Sequence, residues 1–275
     1  MPFKKSLLQN ISAGISTRLT GERRHQYKKA NLNWVKIKYL KHLPANKIHR
    51  HTLAGRITYF RGGPEYLHGL KEIFIEEIYK QALPENSFVL DCGAHIGLSV
   101  VYIKNICPTA NIIAFEPDAE NYSLLQRNIQ SHGLERIEAR QEAVWINNTT
   151  LQFSQDGNMG SKIQKGPKNG TVSVNATRLR DFLTTKVNFL KLDIEGAEYV
   201  VLQDIQDKLH LVNSMFIEYH GTYLQNRELV GIFNLIEKCG FKFYIKEAAD
   251  NHSQPLAKND SLTDYDVQLN IFCFR

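Results

Sequence analysis

Short apolar runs along this chain alternate with longer segments in which apolar residues recur every three or four positions. The runs predict buried strands, and the longer segments predict helices with one apolar face. Strands separated by helices indicate an α/β fold with a largely parallel sheet, because parallel neighbours need a long crossover between them. Five such strands are predicted, at residues 88–90, 111–116, 137–144, 187–192 and 214–220.

Two further apolar runs, at residues 241–245 and 267–274, are joined by a polar segment, so we expect them to pair antiparallel. Together with five strand–helix units and right-handed crossovers, they predict a doubly wound, mostly parallel sheet of seven strands. Polar residues dominate positions 145–174, with short β-like runs among them. A connection of about 30 residues is long, which predicts a lid or a binding loop.

Three smaller elements are predicted outside these strands. Loose alternation at residues 47–60 predicts a hairpin around Gly55, and apolar spacing at residues 70–78 predicts a helix that Pro84 closes. A short helix is predicted at residues 178–183.

Charge divides the chain near residue 50. Residues 1–50 contain twelve Lys or Arg residues and one acid, Glu22, whereas residues 51–275 contain 22 basic and 27 acidic residues. The formal net charge of +6 therefore comes from the first segment. We predict a basic, partly helical N-terminal extension at 1–50 and one domain at 51–275. The extension is either a solvated helical segment or an electrostatic anchor for an anionic membrane surface or a phosphorylated lipid-linked glycan.

Cysteine usage and hydropathy indicate the compartment. The four cysteines are scattered and form no C-x-x-C pair, which is typical of reduced thiols in a cytosolic protein. No apolar run approaches the roughly 18 residues of a membrane span. The first residues lack the sustained apolar segment of a signal peptide. We expect a cytoplasmic protein, with a peripheral place at the inner membrane face as the alternative.

The turn after the first predicted strand carries the main chemical signal. Asp91 ends the strand, and Gly93 and Gly97 open the following helical segment. In an open α/β sheet a ligand binds beyond the carboxyl ends of the strands, where glycine lets the chain turn sharply and approach a cofactor. The spacing differs from the G-x-G-x-x-G of dinucleotide enzymes, which disfavours a nicotinamide oxidoreductase, and it lacks the G-K-[ST] of a P-loop.

A second signal lies at the end of the next strand. Glu116 follows Gly93 by 23 residues, and a carboxylate at that position can accept both hydroxyls of a ribose. The glycine turn and this acid together predict a cofactor that contains adenosine. The alternatives are tight strand–helix packing for the glycines and an ordinary surface acid for Glu116.

Three segments together resemble the FkbM-type family of S-adenosylmethionine-dependent methyltransferases. They are residues 89–97, 112–117 and 190–198, and the K-L-D-I-E-G-A-E sequence within the last is the most specific. The resemblance extends over roughly residues 50–275 and implies the class I methyltransferase (Rossmann-like) fold. It also implies O-methylation, commonly of sugars in surface polysaccharides or of natural products, with an acceptor that varies within the family.

The resemblance makes S-adenosylmethionine the expected cofactor. Gly93 and Gly97 are expected at its methionine end, and Asp91 either binds its amino group or caps the following turn. Glu142 lies where relatives place residues beside the adenine, although a solvent-facing side chain is the alternative. The expected cofactor-binding residues are Asp91, Gly93, His95, Gly97, Glu116, Glu142 and Asp193.

Ionisable residues at the ends of the fourth and fifth strands are the expected catalytic groups. Asp193 ends the fourth strand, and Glu218 and His220 share one face of the fifth because strand side chains alternate. A sugar hydroxyl is a poor nucleophile at neutral pH, so a base such as Asp193 or His220 would help. Asp193, Glu218 and His220 could instead hold a divalent ion such as Mg²⁺. A hydrogen-bonded rim without metal is the favoured alternative, and His95 is a second base candidate.

The sequence therefore predicts an S-adenosylmethionine-dependent O-methyltransferase that acts on a hydroxyl of a sugar or glycan precursor. An RNA methyltransferase is an alternative because the first 50 residues are basic, although no basic-aromatic RNA-binding motif is present. A non-catalytic protein-binding module that retains the fold is another. The presence of both Glu116 and Asp193 argues against the last of these.

Overall fold

The computed structural model describes residues 27–28, 30–154, 171–249, 251, 256 and 265–275. The chain divides into two compact units, residues 1–80 with 130–133 and residues 81–129 with 134–275. They are called here the N-terminal unit and the sheet unit. The predicted boundary at residue 50 stays a prediction.

The N-terminal unit contains two short helices and a hairpin among its described residues. They are α1 (Trp34–Lys41), β1 (His49–Leu53), β2 (Arg56–Phe60) and α2 (Gly63–Gly69), which continues into a π-helical turn at Leu70–Ile75. Asn33 caps α1, because its side chain accepts a hydrogen bond from the Lys36 N–H. The antiparallel pairing of β1 with β2 confirms the predicted hairpin. Helix α2 begins before residue 70, because Pro64 stands in its first turn, where a missing N–H is tolerated.

The sheet unit contains ten strands in its described residues. They are β3 (Phe88–Cys92), β4 (Asn111–Phe115), β5 (Ile137–Arg140), β6 (Ala143–Trp145), β7 (Thr149–Ser154), β8 (Thr171–Arg178), β9 (Val187–Leu192), β10 (Val212–Gly221), β11 (Lys242–Glu247) and β12 (Val267–Phe274). Seven of them form one sheet in the order β11-β12-β10-β9-β3-β4-β5. Neighbours from β10 to β5 are parallel, whereas β12 is antiparallel to β10 and β11. The predicted mostly parallel, seven-stranded α/β sheet is confirmed.

Four α-helices accompany these strands in the described part of the sheet unit. They are α3 (Leu98–Ile106), α4 (Ala119–His132, whose last residues belong to the N-terminal unit), α5 (Glu198–Ile205) and α6 (Asn226–Lys238). Val201 of α5 and Ile232 of α6 share one apolar core with Leu190 and Ile217 of the central strands. This core fixes the strand ends on which the site is built. Within the described ranges, no helix is long and apolar enough to cross a membrane.

The predicted third strand, residues 137–144, is wrong as a single element. β5 ends at Arg140 and β6 begins at Ala143, and the two strands belong to different sheets. Arg140 binds the carboxylate of Glu142 at the break, whereas Ala143 and Val144 are buried. Two strands separated by only two residues look like one element in the sequence, because periodicity does not reveal which sheet a strand joins.

The predicted loop at residues 145–174 contains regular structure. β7 lies within it and pairs antiparallel with β8, which in turn pairs parallel with β6 to form a small three-stranded sheet. Residues 155–170 lie outside the described residues, and the predicted role of this segment as a lid or binding loop stays a prediction. The short helix expected at 178–183 is a 3-10 helix at Leu179–Phe182.

Candidate active site

The strand order places the predicted site residues along one edge of the sheet. β3 lies between β4 and β9, and β10 is next to β9, all in parallel. The carboxyl ends of parallel strands meet at the same edge, which is where α/β proteins bind ligands. Asp91, Glu116, Asp193 and His220 therefore come together at this edge, each at or just beyond the end of its own strand.

The turn after β3 requires glycine at two positions. Gly93 has a φ of +88°, and a Cβ added to it would lie 1.8 Å from the carbonyl oxygen of Asp193. Gly97 has a φ of +87°, and its Cβ would lie 2.7 Å from Leu125 Cδ1. The backbone N–H groups of Gly93 and Ala94 both donate to the Phe115 carbonyl, which fixes this turn against the end of β4. Gly93 is therefore needed for contact with the turn after β9 as well as for the bend itself.

His95 lies inside this turn in a left-handed conformation. Its φ is +49°, a conformation that costs non-glycine residues energy and is enriched at functional sites. The His95 N–H donates to Glu116 Oε2 at 2.7 Å. The backbone of His95 thus orients the carboxylate at the end of the neighbouring strand.

Glu116 is a buried carboxylate with two backbone donors. Its Oε2 accepts from His95 N–H, and its Oε1 accepts from Asp118 N–H at 3.0 Å. Burial raises the pKa of Glu116 to about 7, although the charge of His95 and the two N–H donors oppose that rise. Each carboxylate oxygen has further acceptor capacity beyond its backbone donor, which is what a ribose diol needs.

Asp91 is fully buried at the end of β3. Its Oδ2 accepts a hydrogen bond of 2.5 Å from the hydroxyl of Ser99 in the first turns of α3. Its Oδ1 lies 3.5 Å from Lys191 Nζ and has no hydrogen-bond partner in the structure. Asp91 thus links the strand to the helix after the turn, and its contact with the cofactor stays a prediction.

Lys191 is a residue that the sequence prediction missed. It lies opposite Asp91 in the pairing of β9 with β3, and only 2% of its surface is exposed. Its ammonium group donates to the Gly93 carbonyl at 2.6 Å and to Asp193 Oδ2 at 3.0 Å. A single lysine within an apolar strand was the available signal, because buried lysines nearly always have a partner.

The turn after β9 is held by Glu198, a fully buried residue at the start of α5. Its Oε1 accepts from the N–H groups of Ile194 and Gly196, both at 3.1 Å. Within this turn Glu195 has a φ of +54°, so it is the second left-handed non-glycine residue at this sheet edge. Its carboxylate is half exposed and faces His220. Its position two residues after Asp193 already places Glu195 near this rim in the sequence, but nothing local marks its backbone conformation.

His220 is a buried imidazole that has a carboxylate at each ring nitrogen. Nδ1 lies 3.3 Å from Glu198 Oε1, and Nε2 lies 3.6 Å from Glu218 Oε1 and 3.8 Å from Glu195 Oε2. Burial lowers the pKa of His220, but the hydrogen bond to Glu198 and the nearby carboxylates of Glu218 and Asp193 outweigh it and raise the pKa well above its usual value. The surrounding carboxylates stabilise the protonated form of the imidazole, and a metal ion bound to the ring would have to displace that proton. The predicted role of His220 as a base is not tested by the structure.

Among the residues that the structure describes, one group of side chains could hold a metal ion. Asp193, Glu195 and His220 can each present a ligand atom, and these atoms lie within 4.8 Å of one another. This group contains Glu195 in place of the predicted Glu218, which lies beside His220 but is not one of the three.

The carboxylate of Glu142 is paired with Arg140. Both of its carboxylate oxygens accept hydrogen bonds from the Arg140 guanidinium, at 2.8 and 3.2 Å. Its predicted place beside the adenine stays a prediction.

Comparison with known proteins identifies a family. The family model described as "Methyltransferase FkbM domain" matches residues 91–243. Methyltransferase 1 of Beauveria bassiana is 33% identical over 182 residues, covering 56% of this chain and 72% of that protein. Methyltransferase sdnD of Sordaria araneosa is 30% identical over 187 residues, covering 54% and 72%.

Solved methyltransferase structures are more distant. The TYW2 protein of M. jannaschii, in complex with AdoMet, is 12% identical with a TM-score of 0.46, over 83% of this chain and 86% of that one. The putative methyltransferase SMU.1697c of Streptococcus mutans, in complex with SAH, is 9% identical with a TM-score of 0.43, over 76% and 96%. The family match and the curated relatives lead to one conclusion: the chain belongs to the FkbM family of S-adenosylmethionine-dependent methyltransferases.

Proposed function

We propose that the protein methylates a hydroxyl group of a sugar or glycan precursor. The observation that carries this proposal is the acidic rim, which we define as Asp193, Glu195 and Glu218 around His220. Carboxylates accept hydrogen bonds from hydroxyl groups, and a sugar offers several such donors close together. The same carboxylates would repel the phosphates of an RNA acceptor. The rim therefore favours a neutral polyol over a nucleic acid.

The residues on the other side of the site fit S-adenosylmethionine. Glu116 would accept hydrogen bonds from the ribose hydroxyls, because its two oxygens are held in place by backbone donors and have acceptor capacity left. The tight turn from Gly93 to Gly97 would bring backbone close to the methionine end. The bound cofactor supplies a methyl group on a positively charged sulfur. Positions proposed beside it also include Asp91, His95, Glu142 and Asp193.

Asp193 is the proposed acceptor of the hydroxyl proton. Its Oδ2 is held by Lys191, which fixes the side chain, and about a quarter of the side chain is exposed at the edge. We assign His220 an orienting role, because its two ring nitrogens face Glu198 on one side and Glu218 and Glu195 on the other. Holding the acceptor oxygen close to the methyl group is expected to supply much of the rate.

A divalent ion is a separate proposal for the same rim. Asp193, Glu195 and His220 combine two hard oxygen ligands with an imidazole, a set that accepts Mg²⁺ or Mn²⁺. Activity lost after dialysis against EDTA and restored by Mg²⁺ would support it. Full activity after chelation would rule it out and leave Asp193 as a base without metal.

Methyl transfer from labelled S-adenosylmethionine tests the proposed acceptor. Simple methyl glycosides, nucleotide sugars and a total RNA preparation would be compared, with Asp193→Asn as the inactive control. The proposal expects label in a sugar and none in RNA. Label in RNA alone would contradict it in favour of an RNA methyltransferase. A folded protein that binds no cofactor would indicate the non-catalytic module.

For the basic N-terminal extension we propose contact with an anionic membrane surface, which would place the protein at the inner face of the membrane. Besides its charge, α1 exposes Trp34 and Tyr39, with Lys38 over the indole ring. Amphipathic aromatic rings beside lysines are typical of membrane interfaces. Co-sedimentation with anionic vesicles at low salt, lost at 1 M salt and in a Trp34→Ala, Tyr39→Ala variant, is the expected result. Equal sedimentation with neutral vesicles would contradict it.

A further inference from the structure

The turns after β3 and β9 are joined at three points. Asp193 N–H donates to the Cys92 carbonyl at 3.1 Å, and the Asp193 carbonyl oxygen occupies the space where a side chain on Gly93 would lie. The third point is the Lys191 ammonium, which donates to the Gly93 carbonyl on one turn and to Asp193 Oδ2 on the other. The first two contacts involve only backbone. Of the three contacts, the one made by Lys191 is the one that involves the Asp193 carboxylate.

The environment of Lys191 makes its position rigid. The ammonium has three donors, and besides Gly93 and Asp193 it faces the unbonded Oδ1 of Asp91 at 3.5 Å. Only 3% of its side chain is exposed. A buried ammonium held between two carboxylates and a carbonyl has little freedom to move, and it restrains the orientation of the Asp193 side chain.

Lys104 provides a comparison within the same unit. It is also buried, but it donates to the backbone carbonyls of Pro108 and Ala110 in the connection between α3 and β4. Those acceptors do not belong to either strand-end turn. A purely structural lysine therefore has contacts of the Lys104 kind, and those of Lys191 are different.

We propose that Lys191 is a positioning residue that fixes the Asp193 carboxylate relative to the turn after β3, from Gly93 to Gly97. This inference rests on the proposed role of Asp193 in proton transfer. A displacement of a reacting group by about 1 Å can cost 10²-fold in rate. Loss of the Lys191 ammonium should therefore lower kcat through Asp193, and it should lower cofactor affinity less, because the Glu116 contacts remain.

A double-mutant cycle tests this coupling. The variants are Lys191→Met, Asp193→Asn, the combination of both, and Lys104→Met as the matched control for losing a buried lysine. We expect Lys191→Met to lower kcat about 100-fold and to weaken S-adenosylhomocysteine binding less than about tenfold. The combined variant should be no slower than Asp193→Asn. Lys104→Met should lose stability but keep kcat within about threefold.

Three outcomes would overturn the inference. They are a folded Lys191→Met enzyme with nearly normal kcat, losses that multiply in the combined variant, and an equal loss of kcat in Lys104→Met. Should Lys191→Met fail to fold, Lys191→Arg keeps the charge but changes the geometry, and the same cycle is run with it. An Asp193→Asn enzyme that keeps full turnover would instead refute the proposed role of Asp193 itself, so the two failures are distinguishable.

Discussion

The two halves of the site differ in composition: one consists mainly of backbone groups and the other of ionisable side chains. The half formed by β3 and β4 consists mainly of backbone groups in tight turns, with Glu116 oriented by two N–H donors. The half formed by β9 and β10 consists of ionisable side chains, with three carboxylates around the ring nitrogens of His220. A cofactor shared by a whole family can be bound by a fixed backbone shape. An acceptor that varies within the family is met by side chains, which can change without changing the fold.

Substitutions in the two halves should therefore affect different quantities, cofactor binding in one half and turnover in the other. Substitutions on the proposed cofactor side should remove binding, because we propose that backbone shape and the Glu116 carboxylate supply most of the recognition there. Substitutions on the acceptor side should remove turnover and leave cofactor binding nearly intact. The following predictions test this difference.

The largest effect is expected from Gly93→Ala. The new methyl group would lie 1.8 Å from the Asp193 carbonyl oxygen at a φ of +88°, so the two turns must separate. We expect no measurable cofactor binding and a loss of more than about 2 kcal/mol of folding free energy. Thermal unfolding and calorimetric titration measure both quantities. Gly133→Ala is the control, since it also has a positive φ but nothing within 4 Å of the added carbon.

The next effect is on turnover. Asp193→Asn keeps the size of the side chain but removes its ability to accept a proton, so kcat should fall about 10²- to 10⁴-fold. Binding of S-adenosylhomocysteine should change less than about threefold. Single-turnover assays and calorimetry on the same preparation separate the two. An equal loss in both quantities would show that Asp193 mainly holds the cofactor.

Glu116→Ala should weaken cofactor binding and spare turnover, the reverse of the result expected for Asp193→Asn. Hydrogen bonds to a charged group contribute about 1.5–3 kcal/mol. Removing this carboxylate should therefore weaken cofactor binding about 10- to 100-fold, while kcat at saturating cofactor changes little. Calorimetry measures the affinity, and thermal unfolding confirms that the variant is folded. Unchanged affinity in a folded variant would remove Glu116 from the cofactor site.

The smallest effect is the pH dependence of that affinity. Ribose hydroxyls donate to a carboxylate, whereas a protonated Glu116 has lost one acceptor position. Because burial raises its pKa to about 7, affinity should fall from pH 8 to pH 6, by at most about tenfold. The raised pKa of Glu116 also affects the stability of the unliganded protein, with the opposite pH dependence. Its contribution to the free energy of unfolding is fully present below pH 4.5 and is lost as the pH rises through 7. Calorimetric titrations at several pH values measure how cofactor affinity changes with pH, and Glu116→Gln should remove most of that change.

The residues of the proposed cofactor side were easier to select from the sequence than those of the proposed acceptor side, for physical reasons. Gly93, Gly97 and Glu116 are fixed by the local geometry of a strand, a turn and the next strand, and that geometry leaves a fixed spacing in the sequence. The left-handed backbone of Glu195 and the orientation of His220 depend on packing between β9 and β10. No local pattern encodes such contacts.

Two differences from the predicted structure have the same origin. Lys191 looks like one polar residue in an apolar strand until its register against Asp91 is known. Glu142 looked like the end of a strand, but its carboxylate is bound by Arg140 at the point where the chain leaves the main sheet. The fold class followed from periodicity, whereas strand partners and charge pairs required the three-dimensional arrangement.

A crystal structure with S-adenosylhomocysteine would test the division of the site most directly. The account predicts that both ribose hydroxyls lie within hydrogen-bonding distance of Glu116 and that the sulfur faces Asp193 at the acidic rim. A ribose bound away from Glu116, or a sulfur directed away from Asp193, would contradict it.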